Sequence, residues 1–344
     1  VHDNTNAVEG ARMLSNLEAE HEPAEEVEMP VTWPSKGEIK FEDVVMPYLP
    51  FTPPVLKGIS FSIREGEKIG VVGRTGAGKS SLIVALYRMA EISEGKIHVD
   101  SIDCSCVNLN RLRSSMAIIP QEPVMFGGTL RSNLDPFNKH QDEEILDVLH
   151  KCLLGPMVDA NEEGLEAKVD VLGSNFSLGT QQLICLARAM LNPSRILLLD
   201  EATAALDSDT DAAVQQVLKK HFSDRTIFTI AHRLDTIVSS DRILAINDGV
   251  VAEYDRPDVL LENPESIFYE LCMNTGRAQF DVLFAKARAH AAENEVSNGQ
   301  IVEKDNDNNN DDGNDDNDNN EYDNDNDNDD DDDDDNDNDN DNDD

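Results

Sequence analysis

The stretch Gly73–Ser80 constrains the fold more than any other part of the chain. Its sequence, Gly-Arg-Thr-Gly-Ala-Gly-Lys-Ser, fits the pattern G-x-x-x-x-G-K-[ST] at every specified position. The apolar run Lys68–Val72 precedes it, and Lys79–Arg88 follows with helical spacing. A strand that enters a glycine turn and continues into a helix points backbone N–H groups and the positive helix end at an anion. An accidental glycine turn would lack this context, so the sequence predicts a site for a nucleoside triphosphate.

Side chains of the same loop have predicted roles in that site. Lys79 is expected to reach the β- and γ-phosphates, and the Ser80 hydroxyl is expected to ligate the Mg²⁺ that bridges them. The predicted phosphate site comprises Gly73, Arg74, Thr75, Gly76, Ala77, Gly78, Lys79, Ser80 and Ser81.

A second apolar run, Arg195–Leu199, delivers two carboxylates, Asp200 and Glu201, to its end. Ligands of α/β sheets bind at the carboxyl ends of the strands. We expect Asp200 to hold Mg²⁺, through a water molecule, and Glu201 to act as the general base on the attacking water. Alone, a strand ending in Asp-Glu could equally cap a helix. Together with the phosphate loop, the functional interpretation is favoured.

Two further polar residues are weaker candidates. His232 follows the strand pattern Thr226–Ile230 and is placed to contact the γ-phosphate, although a lone histidine is usually structural or solvated. Gln121 lies between two prolines in Ile-Ile-Pro-Gln-Glu-Pro. It could ligate Mg²⁺ and orient water, or it could be a polar turn residue.

Buried-strand and helical patterns alternate through the compact part of the chain, which predicts an α/β fold with a mainly parallel sheet covered by helices. Glu38–Val45 and Leu56–Ile63 are strand-like but stand before this alternation, with Pro53-Pro54 between them. They predict an antiparallel β layer at the edge of the core.

Composition divides the chain into four regions. Residues 1–36 are polar and proline-interrupted, typical of a linker, with a short helix expected around Ala11–Glu20. Residues 37–275 have the apolar runs of a folded domain. Residues 276–302 predict a C-terminal helix, with Arg277–Glu295 as its Ala-rich part, and 303–344 predict a disordered Asp/Asn-rich tail, because such a segment cannot bury enough apolar surface to fold.

The formal charge of −42 is concentrated at the end of the chain. The tail from Glu303 holds 24 acidic residues and one lysine, so it carries −23 of the total. A negative surface repels phosphate backbones, and nucleic acid is therefore not an expected partner. The tail itself is assigned no function.

Other sequence signals exclude several classes of protein. The five cysteines have neither a disulfide framework nor zinc spacing, which fits a reduced, cytosolic setting; the pair Cys104 and Cys106 could bind metal but is better explained as a solvated loop. No apolar run approaches the length of a membrane span. The chain begins with Val1 and lacks a signal peptide, so we expect a soluble fragment of a longer protein.

The motifs occur in the order phosphate loop, Gln121, the segment Phe176–Thr180, Asp200-Glu201, Ala205-Leu206-Asp207, and His232. This order resembles the ATPase domain of ATP-binding-cassette transporters over 37–275. Finer strings, Trp33–Gly37 and Asn133–Phe137 among them, resemble the second nucleotide-binding domain of the multidrug-resistance-associated (C) subfamily.

The resemblance implies ATP and Mg²⁺ as ligands and ATP hydrolysis as the activity. It implies that Tyr48 stacks on adenine, that 121–177 form an inserted helical subdomain, and that Asp207 communicates across a dimer. It also implies partners: transmembrane domains and a second nucleotide-binding domain of the same transporter, with this domain at the cytoplasmic face of the membrane. The implied substrates are organic anions, conjugates or drugs.

One segment departs from the family pattern. Where the family has Leu-Ser-Gly-Gly-Gln, this chain has Phe176-Ser177-Leu178-Gly179-Thr180. Ser177 and Gly179 are retained and are expected to contact the γ-phosphate held by the opposite domain. Thr180 lacks the amide of the family's glutamine. We therefore expect a weakened signature segment, and a dimer in which an unlike domain completes this chain's hydrolytic site.

Two alternative functions remain open at this stage. One is a binding-only module that gates a channel or partner without productive hydrolysis, against which Glu201 argues. The other is a soluble cassette protein of translation or DNA repair. The single cassette, and the lack of sustained heptads or a basic patch, argue against that alternative.

Overall fold

The computed structural model describes Glu20 and residues 22–23, 27–49, 51–202, 206–231 and 233–307, with side chains described for all of these except Ser208 and 296–307. His232, Ala205 and the helix expected around Ala11–Glu20, apart from Glu20 itself, lie outside the described residues. The chain divides into two compact units, Val1–Glu295 and Val296–Asp344. The first unit contains all the strands given below.

Twelve strands and eleven α-helices make up the described chain. The strands are β1 (Ile39–Met46), β2 (Leu56–Ile63), β3 (Lys68–Val72), β4 (Glu94–Val99), β5 (Ile102–Asp103), β6 (Met116–Ile119), β7 (Gly128–Thr129), β8 (Lys168–Val169), β9 (Ile196–Asp200), β10 (Thr226–Ile230), β11 (Arg242–Asn247) and β12 (Val250–Asp255). The helices are α1 (Lys79–Leu86), α2 (Leu109–Ser114), α3 (Leu130–Leu134), α4 (Asp142–Lys151), α5 (Gly155–Asp159), α6 (Leu178–Leu191), α7 (Ser208–His221), α8 (Leu234–Ile237), α9 (Pro257–Glu262), α10 (Ile267–Met273) and α11 (Arg277–Asp307).

The central sheet has six strands in the order β12-β11-β3-β10-β9-β6, and only β12 runs antiparallel to its neighbour. Strands β3 and β9 are buried along nearly their whole length, as strands covered on both faces must be. The predicted α/β class with a mainly parallel sheet is confirmed. Because β3, β10, β9 and β6 are parallel, their carboxyl ends lie at one edge of the sheet.

The predicted antiparallel layer is a separate sheet rather than an extension of the central one. Its four strands run β2-β1-β4-β5, so β4 and β5 are added to the two strands predicted from the sequence. Alternate residues of β2 are buried, and Phe61 stacks on Phe41 with ring centroids 4.6 Å apart. Phe61 also lies 6.4 Å from Phe228 of β10. These aromatic contacts join the two sheets in one hydrophobic core.

The segment between Gln121 and Ser177 contains the short helices α3 to α5 and the two-stranded pairing of β7 with β8. Its apolar side chains share a core with α6 and with the adjacent face of the central sheet. Arg188 of α6 donates to the carbonyl oxygens of Asn133 and Val124, each at 2.5 Å. This arginine therefore fixes α6 against the segment.

Two helices have ends that differ from the predicted ones. Helix α1 ends at Leu86 rather than Arg88, because Arg88 has φ +48° and reverses the chain. Helix α11 runs to Asp307, beyond the predicted boundary at 302, and the first two residues past that boundary, Glu303 and Lys304, favour helix. Residues 308–344 lie outside the described part. Across the described residues, no helix has both the length and the apolar character of a membrane span.

A candidate nucleotide site at the carboxyl edge of the parallel sheet

The phosphate loop connects β3 to α1 and is held by backbone contacts with the neighbouring strands. Gly249, in the β11–β12 turn, donates its N–H to the Ala77 carbonyl at 3.0 Å. Gly73 has φ +151°, and a Cβ at this position would lie 2.3 Å from the Ile246 carbonyl oxygen of β11. Only glycine fits there, which gives the first glycine of the motif a structural reason in this chain.

Lys79 is the buried cation of the loop, with 7% of its surface exposed. Its Nζ donates to the carbonyl oxygens of Gly73 at 3.0 Å and Arg74 at 3.3 Å. Burial lowers the pKa of Lys79, and the nearby carboxylates of Glu201 and Asp200 partly offset this effect. A nucleotide phosphate placed here would supply further negative charge beside the ammonium group.

Asp200 and Ser80 are brought together by the strand order. Strand β10 separates β3 from β9, and its last residue, Ile230, is in register with both Val71 and Asp200. The Ser80 hydroxyl donates to Asp200 Oδ1 at 3.2 Å. A hydroxyl and a carboxylate are hard oxygen donors that suit Mg²⁺, which keeps several waters and substrate phosphates as its other ligands. The pair therefore fits the predicted metal position.

Glu201 follows Asp200 in a left-handed conformation with φ +50°. Its N–H donates to the Ile230 carbonyl at 2.8 Å, which closes the end of β9 onto β10. For a residue other than glycine this conformation is uncommon and costs energy, and such residues concentrate at functional sites. The helix-cap alternative does not apply, because α7 begins with Asp207 as its cap.

Tyr48 lies in the turn after β1 and is half exposed. Its hydroxyl is 2.8 Å from the Ser81 hydroxyl, a hydrogen bond that ties the ring to the first turn of α1. The aromatic ring is therefore held beside the phosphate loop, with surface available to a flat ligand.

Gln121 is exposed two residues beyond β6. Because Ile119 of β6 pairs with Leu199 of β9, Gln121 lies at the same sheet edge as Asp200. Its carbonyl oxygen accepts a hydrogen bond from Gln182 Nε2 at 3.2 Å. His232 is outside the described residues; of its two neighbours, Ala231 directly follows β10.

The signature residues and Asp207 form a second group. Ser177 caps α6 by accepting the Thr180 N–H at 3.1 Å, and its hydroxyl is also 2.9 Å from the Thr180 hydroxyl. Asp207 caps α7 and accepts from the Thr210 hydroxyl at 2.8 Å; the backbone and hydroxyl hydrogen bonds from Thr210 lower the pKa of Asp207. A Cβ on Gly179 would lie 2.8 Å from Thr210 Cγ2. The two helix starts are therefore packed together.

Gln182 was not identified from the sequence. It is 4% exposed, on a helix whose other buried residues are apolar. A glutamine at a core position of an amphipathic helix was the available signal, because a buried amide must find hydrogen-bond partners.

These features define a P-loop ATPase domain: a phosphate loop on β3, carboxylates at the end of β9, and an aromatic ring beside them. Residues 56–204 match the family model described as ABC transporter. The chain is 50% identical to the metal resistance protein YCF1 of Saccharomyces cerevisiae over 248 residues, which is 72% of this chain and 16% of that protein. It is 47% identical to human ATP-binding cassette sub-family C member 4 over 259 residues, 75% of this chain and 20% of that protein.

Among solved structures, a bacterial Atm1-family ABC exporter with ATP bound superposes with a TM-score of 0.71 at 28% identity, over 80% of this chain and 48% of that one. The chain belongs to the ABC transporter family and is a nucleotide-binding ATPase domain of the C-subfamily type. It spans about a sixth to a fifth of the length of the two curated relatives it matches.

Proposed function

We propose that this domain hydrolyses ATP and thereby powers transport by a longer membrane exporter. The contact between Ser80 and Asp200, beside a buried Lys79, carries the proposal. It places a cation and two metal-binding oxygens at one point, at the carboxyl edge of the sheet. This is the arrangement that phosphoryl transfer to water requires, because the reaction depends on positioning and charge stabilisation.

Each residue has a distinct part in this mechanism. The loop N–H groups and Lys79 hold the β- and γ-phosphates, and Tyr48 stacks on adenine. Ser80, Asp200 and Gln121 would hold Mg²⁺, whose chemistry is to neutralise charge developing on the phosphate oxygens. Glu201 accepts the proton of the attacking water.

His232 completes the proposed γ-phosphate contacts. Its place in the sequence, two residues beyond the end of β10, supports the assignment, since β10 lies between the strands that carry the phosphate loop and Asp200.

The signature segment supports an asymmetric dimer. In the proposed sandwich, Ser177 and Gly179 face ATP held by the opposite domain, with Asp207 communicating across the interface. Here the Ser177 hydroxyl is engaged with Thr180, 2.9 Å away, so it is less available to a phosphate. Leu178, 42% exposed, adds an apolar side chain at the same surface. We infer that this chain supplies the hydrolytic half of one site and a weak signature to the other.

The proposed partners are transmembrane domains and a second, unlike nucleotide-binding domain of the same transporter. The substrates proposed are organic anions, conjugates or drugs, and the domain would work at the cytoplasmic face of the membrane. The C-subfamily relatives support this part of the proposal. We further propose that residues 1–36 are a linker and that 37–275 form the nucleotide-binding domain, with its helical subdomain at 121–177. Residues 276–302 would form a C-terminal helix, and 303–344 are the Asp/Asn-rich tail.

The general-base assignment is tested by Glu201→Gln in the full transporter. ATP binding should be retained, and steady-state turnover should fall at least a hundredfold, because the amide cannot accept the proton. Glu265→Gln, an exposed carboxylate far along the chain, is the matched control and should leave turnover unchanged. Full turnover by Glu201→Gln would refute the assignment.

The asymmetry is tested with the isolated chain. It should bind ATP but turn over very slowly at any concentration, since its own dimers contain two weak signatures. Thr180→Gln restores the amide and frees the Ser177 hydroxyl, so concentration-dependent ATPase activity should rise several-fold. Brisk turnover by the unmodified chain would contradict the asymmetric interpretation.

The hydroxyl pair at Ser177 and Thr180 also favours a second candidate, a domain whose ATP occupancy gates a partner without productive hydrolysis. A single-turnover experiment with labelled ATP in the full protein distinguishes the two. Release of labelled phosphate within one binding lifetime supports the hydrolytic function, and its absence supports the regulatory one.

A further inference from the structure

The loop that carries Gln121 has little regular structure of its own. Between the end of β6 and the start of β7 it forms neither strand nor helix. Side chains from elsewhere supply hydrogen bonds to its backbone. Asn133 Oδ1 accepts from the Phe126 N–H at 2.9 Å, and Arg188 donates to the Val124 carbonyl at 2.5 Å. Near the other end, Gln182 donates to the Gln121 carbonyl at 3.2 Å.

Gln182 is suited to fix the position of Gln121. Its side chain is on α6, which Arg188 already anchors, and the residue is 4% exposed. Few rotamers are available to a long side chain packed in this way, so little entropy is lost in making the bond. Gln182 and Glu201 also line the same small cavity, so it connects the Gln121 loop with the region of the second carboxylate.

The carboxamide oxygen of Gln182 indicates that glutamine is not the most stabilising residue at position 182. Its Oε1 is buried and, among the described residues, has no hydrogen-bond partner. A buried acceptor without a partner is unfavourable for folding. An apolar side chain of similar shape would avoid that cost, because the Gln121 carbonyl belongs to an exposed residue that water can reach.

We infer that Gln182 is a positioning residue that holds Gln121 where its side chain reaches the metal bound with ATP. The inference rests on the proposed function, in which Gln121 is a ligand of Mg²⁺. Because Gln182 lies about one and a half turns along α6 from Ser177, the same hydrogen bond connects the signature segment with the metal side of this domain's own site.

The test measures how much Mg²⁺ strengthens ATP binding. For the full 344-residue chain, ATP affinity is measured by calorimetry with Mg²⁺ and with EDTA, and the ratio of the two affinities is compared among variants. Gln182→Met keeps the shape but removes the donor. The ratio should fall about threefold to tenfold, corresponding to a coupling within the range found for contacting residues, while affinity in EDTA stays within about twofold. A merely structural role would lower both affinities together.

Four further variants make the outcome decisive. Gln215→Met lines the same cavity from α7 and should leave the ratio unchanged. Gln121→Ala should lower the ratio of the ATP affinities with Mg²⁺ and with EDTA. Combining it with Gln182→Met should lower that ratio no further, because both substitutions act through the Gln121 side chain as a metal ligand. If Gln182→Met proves unfolded by thermal melting, Gln182→Asn keeps the amide but is too short to reach the carbonyl, and the same fall is expected.

The experiment distinguishes failure of the positioning role of Gln182 from failure of the metal-ligand assignment of Gln121. A normal ratio in Gln182→Met, or in its Asn replacement, together with a reduced ratio in Gln121→Ala overturns the positioning role and leaves the proposed function intact. A normal ratio in Gln121→Ala overturns the metal-ligand assignment itself, and the inference falls with it. A further loss in the double variant would show that Gln182 acts by another route and would also overturn the inference.

Discussion

Replacing the first glycine of the phosphate loop should damage the fold far more than replacing the glycine at its tip. Gly73 has φ +151°, a backbone conformation that residues with a Cβ rarely adopt, and the added Cβ would lie 2.3 Å from the backbone oxygen of Ile246. That oxygen belongs to β11 and cannot move without disturbing the sheet. The conformation costs about 1–3 kcal/mol and the overlap about 1–3 kcal/mol more, so Gly73→Ala should destabilise the domain by roughly 2–6 kcal/mol.

Gly76 is the matched control. It has φ +81°, but its added Cβ would meet no atom within 4 Å, so Gly76→Ala should cost only about 1–2 kcal/mol. Both variants gain the same stabilisation from a less flexible unfolded chain, so the difference between them reflects the overlap with Ile246 together with the different backbone strain at the two φ values.

Thermal unfolding of the nucleotide-free chain measures this difference without involving the ligand. For a domain of this size each kcal/mol shifts the Tm by roughly 2–4 °C, so Gly73→Ala should lower the Tm by roughly 10 °C and Gly76→Ala by roughly 4 °C. Equal shifts in the two variants, or a larger one in Gly76→Ala, would refute the reasoning from the Ile246 contact.

Three further predictions concern charges. The carboxylate of Glu67 is mostly buried and accepts two hydrogen bonds from Arg242, of 2.5 and 2.6 Å. Glu67→Gln should therefore lower the free energy of unfolding, measured with denaturant, by about 2–3 kcal/mol. A decrease below about 0.5 kcal/mol would contradict this prediction. The Asp100 carboxylate accepts hydrogen bonds from the four backbone N–H groups of residues 35–38. Asp100→Asn places an NH₂ group against two of these N–H groups, so hydrogen exchange of the amides at 35–38 should accelerate by at least about tenfold. Amide exchange in β9 should be unchanged and serves as the reference. Burial lowers the pKa of Lys79, and a bound phosphate would raise it again. ATP binding should therefore take up a proton, and ATP affinity should fall as the pH rises through the lowered pKa of Lys79. Calorimetry in two alkaline buffers of different ionisation heat detects the proton uptake, which Lys79→Met should abolish.

Sequence alone determined the features whose residues are contiguous. The loop Gly73–Ser80 and the pair Asp200-Glu201 are each one stretch between recognisable apolar runs. Backbone geometry in such stretches depends mainly on local residue type, so motif, strand and helix could be read together. The parallel sheet was predictable for the same reason, since three of its buried strands, Lys68–Val72, Arg195–Leu199 and Thr226–Ile230, appear as short apolar runs.

Only the tertiary structure decided which distant residues meet. The hydrogen bond of Tyr48 with Ser81 spans 33 positions, and the bond of Gln182 with Gln121 spans 61. Contacts of this kind depend on strand order and helix packing, which leave no local pattern in the chain. The sheet order also decided that Ser80 lies beside Asp200, 120 positions away. A phosphate-binding loop was therefore evident from the sequence, but the site around it became visible only when the strands were placed side by side.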